Sequence, residues 1–243
     1  MNNFAEALKQ AFNPKNIIRE LVTLKKTTTV LMLVMIFVNV IAFIVGHTFN
    51  FIGYLGLATG IITVLNLVLI DQGRLTNYFW GAINCGISLL ISLDNRLFGD
   101  IASQIFYFTF QFVGLYFWHK QLEEQTDNHE EVKSRKITPL KAFLAIMGVI
   151  VLYLIVLFTS KNLHGNQVYL DSLLLPLGII GQILMTYGYA SQWYAWILID
   201  SLNIYIWAVQ LQNGGTAAFS MLVLQIIMWI NAIYGCYLWY KNS

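Results

Sequence analysis

Trp193, Trp196, Asp200, Asn203 and Trp207 follow one another at three- and four-residue intervals inside an otherwise apolar stretch, a spacing that sets them on one helix face. Trp80 with Asn84 repeats the pattern upstream, as do Gln104, Tyr107 and Gln111 together, and Gln225 with Trp229. Polar groups at bilayer depth are costly, about 2.5 to 3.5 kcal/mol for an Asp at a helix centre, so they turn toward a cavity or a partner. The chemistry on offer is binding. A membrane enzyme needs a nucleophile with a base, or a metal cluster, at one depth. Here His47, His119, His129 and His164 all fall in or beside loops, and the acids inside the apolar stretches do not pair. No cofactor is expected. No Lys or Arg lies inside an apolar stretch either, so a phosphate finds no paired charge and the ligand should be neutral or cationic.

Each of these residues has a plainer use. Gln104, Asn203 and Gln225 can bond one helix to another, as can Asn39 and Asn66, and Asp200 can pair with a polar neighbour. Trp118 and Trp239 sit near segment ends and read as interfacial belt residues; Trp193 fits belt or site equally. Cys85 and Cys236 read as packing thiols. Gly53, Gly56, Gly60, Gly178 and Gly181 read as close-packing faces.

The elements that must position these side chains follow from composition. Hydrophobic residues make up 58% of the chain and charged residues only 11%, against about 25% charged in a soluble domain. An all-α membrane protein follows, and the net charge of +2 gives no reason to expect nucleic acid. A bilayer core takes roughly 20 apolar residues per helix. Eight segments fit: Thr29–Gly46, Phe51–Ile70, Tyr78–Leu93, Ile101–Trp118, Ala142–Ser160, Leu170–Tyr189, Trp193–Leu211 and Ala217–Tyr240. With both termini cytoplasmic, all but Arg96 and Lys161 of the 14 Lys and Arg residues fall inside, as the positive-inside rule requires. Met1 to Lys26 lacks the features of a removable signal peptide. Its Phe4, Ala7, Leu8, Ala11 and Phe12 form one apolar face suited to the inner membrane surface. Gln121 to Thr138 reads as a solvated cytoplasmic linker.

Self-comparison pairs Trp80–Asn84 with Trp196–Asp200, and Gln104, Gly114, Tyr116 and Trp118 with Gln225, Gly235, Tyr237 and Trp239. The spacing changes in the loop holding Gly214 and Gly215, residues suited to a turn. Two three-helix units result, with one helix between them, so both enter the membrane from the same side. This is the parallel three-plus-one-three arrangement of SWEET transporters, with an extra N-terminal helix. The divisions are residues 1–50 for the amphipathic segment and extra helix, 51–120 for the first unit, 121–165 for linker and connecting helix, and 166–243 for the second unit.

The run Asn77-Tyr78-Phe79-Trp80-Gly81-Ala82-Ile83-Asn84, the stretch Leu97-Phe98-Gly99-Asp100 leading to Gln104, and Gln192-Trp193-Tyr194-Ala195-Trp196 resemble the PnuC family of bacterial vitamin transporters. Asp200 and Gln192 stand where that family often shows Asn. The resemblance covers roughly Phe51 to Tyr240. It implies facilitated diffusion of nicotinamide riboside across the bacterial inner membrane and trapping by a cytoplasmic nucleoside kinase. Thiamine or riboflavin carriers of the same fold, and a proton-coupled carrier using Asp200, are the alternatives. Nicotinamide riboside suits the stripes: its pyridinium is a flat cation that indole attracts by roughly 0.5 to 2 kcal/mol, and its carboxamide needs the donor and acceptor that Asn and Gln supply. On this reading Trp80, Asn84, Gln104, Tyr107, Gln111, Trp193, Trp196, Asp200, Asn203 and Gln225 contact the substrate. The other partner is the lipid bilayer, and a homo-oligomer is compatible with the sequence.

Overall fold

A computed structural model describes residues 2–46, 49, 51–94, 98–125, 130–161, 168–212 and 218–242. Outside them lie Arg96 and Leu97, His47, His129 and His164, Ala217, the turn glycines Gly214 and Gly215, and the unit boundaries at 50 and 165. The described residues form ten helices: α1 (Asn2–Ala11), α2 (Pro14–Val22), α3 (Lys26–Val45), α4 (Phe51–Asp71), α5 (Asn77–Asp94), α6 (Phe98–Glu123), α7 (Pro139–Lys161), α8 (Val168–Thr186), α9 (Gln192–Gln212) and α10 (Ala218–Lys241). Within a few residues, each of α3 to α10 coincides with one apolar segment of the sequence. Four of them hold a stretch long and apolar enough to cross a bilayer without help: Lys26–Val45, Gly53–Asp71, Pro139–Thr159 and Met221–Lys241. Of the rest, α5, α6 and α9 carry most of the amide and acid stripes, which lowers their hydropathy.

Six helices close into a ring. Neighbours in sequence pack side by side, α4 on α5 on α6 and α8 on α9 on α10, while α6 meets α8 and α10 meets α4. Outside the ring, α3 lies against α4 and α10, where the Tyr234 hydroxyl hydrogen-bonds Thr27 and Thr28 at 2.6 and 2.8 Å. Of the other helices, α7 packs on α8 alone.

The turns that end α4 and α8 are built alike. Gly73 and Gly188 have φ of 64° and 72°, a conformation that costs glycine nothing and other residues a steric clash. Each N–H donates three residues back, to Ile70 and Met185, and the next N–H donates five back, from Arg74 to Leu69 and from Tyr189 to Leu184. This is the Schellman helix stop. The likeness extends into packing. Tyr78 lies against Gly114 and Trp193 against Gly235, the rings filling space that a Cβ would occupy. Trp118 Nε1 donates to the Met185 carbonyl and Trp239 Nε1 to the Ile70 carbonyl, both at 2.9 Å, so each half closes the last turn of the other.

Three expectations change. Trp118 and Trp239, taken as belt residues, are 0% and 3% exposed and face protein, because each indole N–H bonds a carbonyl in the last turn of a helix of the other half. The N-terminal segment breaks into two helices at Pro14, with Asn13 accepting from Lys15 N at the cap. It docks on the bundle. Ala7 and Ala11 are wholly buried against the bundle while Ile18 and Val22 face outward. Finally, residues 130–136 of the polar linker form a strap rather than a solvated coil. Val132 N donates to Gly73 O, Arg135 N to Gly188 O and Ala190 N to Arg135 O, at 2.8 to 3.0 Å, so the strap is bonded to both helix-ending turns. Arg74 reaches Glu130 and Glu131 at 2.8 and 3.3 Å. The strap, α1, α2 and the ends of α4, α6, α8 and α10 thus gather at one basic end of the bundle.

Candidate functional site

Trp80 stands in the first turn of α5, which Glu20 of α2 anchors by accepting hydrogen bonds from both N–H and hydroxyl of Thr76. Burial pushes the Glu20 carboxyl above its ordinary value, an effect opposed by the Thr76 bonds and by Arg74 and Arg19. The Trp80 indole packs against the cluster of Met35, Val64 and Val68, and its Nε1 is buried without a hydrogen-bond partner. One turn further, Asn84 Oδ1 is in the same position. From α6, the amide of Gln111 fills the notch over Gly81 together with that of Asn66, and Gln111 Oε1 is also left unpartnered. Asn66 Nδ2 is committed to the Asn77 carbonyl at 2.7 Å.

Two further residues meet on α8. The Tyr107 hydroxyl of α6 rests on Gly178 and the Trp196 indole of α9 on Gly181, one helical turn along. Trp196 Nε1 is 3.5 Å from Gln192 Oε1, a marginal bond that leaves the indole donor nearly free. A turn deeper, Asp200 is 8% exposed and has neither an ion pair nor a hydrogen bond among the described residues. Counting 1.5 Å per residue from the helix starts, Asn84 and Asp200 lie roughly 10 to 12 Å along α5 and α9, a little short of the helix midpoints.

Trp193 stands apart from this group. It is 1% exposed and packs on Gly235 and on Trp239, at 6.4 Å between ring centres, inside the cluster that plugs the basic end. Gln225 faces elsewhere too, into a cavity of about 180 Å³ between α3, α4 and α10 that it shares with Asn39 and Thr63. Gln104 and Asn203 are half-buried, and no hydrogen bond joins either to the group.

Trp80–Asn84 and Trp196–Asp200 are also out of phase. Measured from the matching turns, the backbone equivalent of Trp80 is Ala195, one residue before Trp196. The two indoles therefore leave their helices about 100° apart in rotation instead of as mirror partners.

Three polar residues escaped the sequence reading. Gln182, beside Gly181, is 4% exposed with Nε2 unpartnered, and its position inside an apolar segment was the available signal. Asp71 and Asn231, 1% exposed each, join α4 to α10 through a 3.3 Å bond from Asn231 Nδ2 to Asp71 Oδ1. No local pattern marks that pair, because Asp71 looks like the end of a span.

Residues 52–241 match the family model described as nicotinamide mononucleotide transporter. Among curated proteins, the chain is 27% identical to the nicotinamide riboside transporter PnuC of Neisseria mucosa, over 79% of this chain and 74% of that one. The protein of the same name from Haemophilus influenzae is 26% identical, covering 77% and 80%, and that of Escherichia coli 24%, covering 82% and 88%. The crystal structure of the vitamin B3 transporter PnuC superposes with a TM-score of 0.73 at 25% identity, over 90% of this chain and 94% of that one.

Proposed function

Since the chain belongs to the nicotinamide mononucleotide transporter family, we propose that it carries nicotinamide riboside across the bacterial inner membrane by facilitated diffusion. The carrying observation is the set of buried polar atoms without protein partners, Trp80 Nε1, Asn84 Oδ1 and Gln111 Oε1, to which α9 adds Asp200, buried without a partner among the described residues. A buried polar atom left unbonded costs about 1 to 3 kcal/mol, so several within one apolar region make sense where a ligand completes them. The nucleoside supplies the complement: a flat pyridinium for the indoles, a carboxamide for Asn84 and Gln111, hydroxyls for Asp200 and Tyr107.

The family description names a mononucleotide and the relatives a riboside. The charge distribution favours the riboside. Every described Lys and Arg in α3 to α10 lies within a turn of a helix end, so a phosphate in the middle would shed its water without meeting a cation. The same property explains trapping, because a cytoplasmic kinase that phosphorylates the nucleoside makes it unable to return.

The membrane reading has all of α3 to α10 crossing, α4–α6 and α8–α10 forming two parallel units joined by α7, and both termini with the basic strap on the cytoplasmic side. The matched Schellman turns and the reciprocal Trp118 and Trp239 bonds support the repeat; the positive-inside bias supports the orientation. The phase difference between Trp80 and Trp196 suits a ligand whose two ends differ. Uptake of labelled nicotinamide riboside into proteoliposomes tests the mechanism. We expect saturable uptake that persists when the proton gradient is collapsed; uptake that vanishes with the gradient returns Asp200 to the role of proton carrier. Saturation by thiamine or riboflavin in place of the riboside would reassign the substrate.

A further inference from the structure

We infer that a groove between α7, α8 and α9 holds one acyl chain of an anionic phospholipid from the cytoplasmic leaflet, with the lipid phosphate at Lys136 and Lys141. This rests on the membrane orientation proposed above. The groove has a volume of about 340 Å³ and runs from Ile137 and Ala142 at the basic end down to Val149, with Leu177 and Leu198 on its far wall. From Ala142 to Val149 it descends roughly 10 Å along the axis of α7, the depth of an acyl chain and not of a headgroup. It exists because α7 packs on α8 alone, leaving its flank toward α9 open.

Charge selects the lipid. The acids of the strap are occupied on the other side of the bundle, Glu130 with Arg74 and Arg19, Glu131 with Arg74 and Lys25. Beside the groove, Lys136 and Lys141, chain neighbours of its lining residues Ile137 and Ala142, have no carboxylate within ion-pair distance among the described residues. The Lys141 ammonium, one residue before Ala142 of the lining, is held by the Tyr189 hydroxyl at 2.6 Å and over that ring at 5.2 Å. Tyr194 and Tyr240 line the same mouth, and Ser191 lines it with its hydroxyl unpartnered. Basic residues over a cleft between membrane helices on the cytoplasmic side are the arrangement that captures anionic headgroups.

The test compares phosphatidylglycerol with phosphatidylcholine, each supplied from mixed micelles to the purified full chain and read by native mass spectrometry, with inorganic phosphate as competitor. Phosphatidylglycerol should bind at least tenfold tighter. Each of Lys136→Gln and Lys141→Gln should weaken it about fivefold and leave phosphatidylcholine unchanged. Ala145→Trp, which fills the groove, should displace both lipids. Should that variant fail to fold, the lysine variants alone decide. Equal affinity for the two lipids overturns the proposal. So does competition by millimolar phosphate, which would mean a free-anion site, or a change in oligomeric mass with Ala145→Trp, which would mean that a second copy covers the groove. Nicotinamide riboside binding is measured on the same samples, so failure of the lipid proposal is separable from failure of the transport reading.

Discussion

A tryptophan or amide inside a membrane helix either bonds its neighbours or waits for something else, and an unbonded atom separates the two only together with its place in the fold, since Trp193 Nε1 is unbonded as well but lies within the packed cluster at the basic end. Trp118 and Trp239 spend their Nε1 on backbone carbonyls; Trp80 does not. Asn84→Ala should therefore weaken nicotinamide riboside ten- to hundredfold, about 1.5 to 3 kcal/mol for a lost buried hydrogen bond, with little change in thermal unfolding. Trp193→Ala should do the reverse, lowering stability by about 3 to 5 kcal/mol through the void it leaves against Gly235 while sparing the ligand contacts. Glu20 gives a pH signature. Its folded-state pKa is raised above the ordinary 4.5, so the protonated form favours folding: its contribution is full below that ordinary value and is lost as pH rises through the raised one. The unfolding temperature of the wild type should rise as pH falls across this window, and Glu20→Gln should flatten the dependence.

At the scale of elements, the helices were legible and their mutual facing was not. Apolar length and charge bias located α3 to α10 within a few residues, since both properties are local. Whether Trp239 meets lipid or a neighbour depends on the Ile70 carbonyl at the end of α4, and Asp71 finds Asn231 across 160 positions of chain, a distance no periodicity spans. For the same reason the sequence match of Trp80 with Trp196 ran one residue out of step with the backbone. The strap was misread because a mixed-charge run looks solvated until its partners are known. Arg74 is 8% exposed at the side chain against 44% and 29% for Glu130 and Glu131, so its two ion pairs are partly screened. Arg74→Gln should cost about 1 kcal/mol in thermal unfolding at low salt, and the loss should shrink in high salt as the wild type weakens.

Across the whole molecule, six helices close a ring whose described cations sit at helix ends, while α5, α6 and α9 carry indoles, amides and, among the described residues, the unpaired carboxylate of Asp200. On the function proposed above, such an interior admits a neutral or cationic nucleoside and turns away its phosphate, so that phosphorylation by a kinase would make import one-way. The most direct measurement is a calorimetric titration of the purified protein with nicotinamide riboside and, separately, with nicotinamide mononucleotide. Saturable binding of the riboside, weakened by Asn84→Ala, with no detectable heat from the mononucleotide is the expected result. Equal affinity for the two, or an Asn84→Ala variant that binds as the wild type does, would contradict the account.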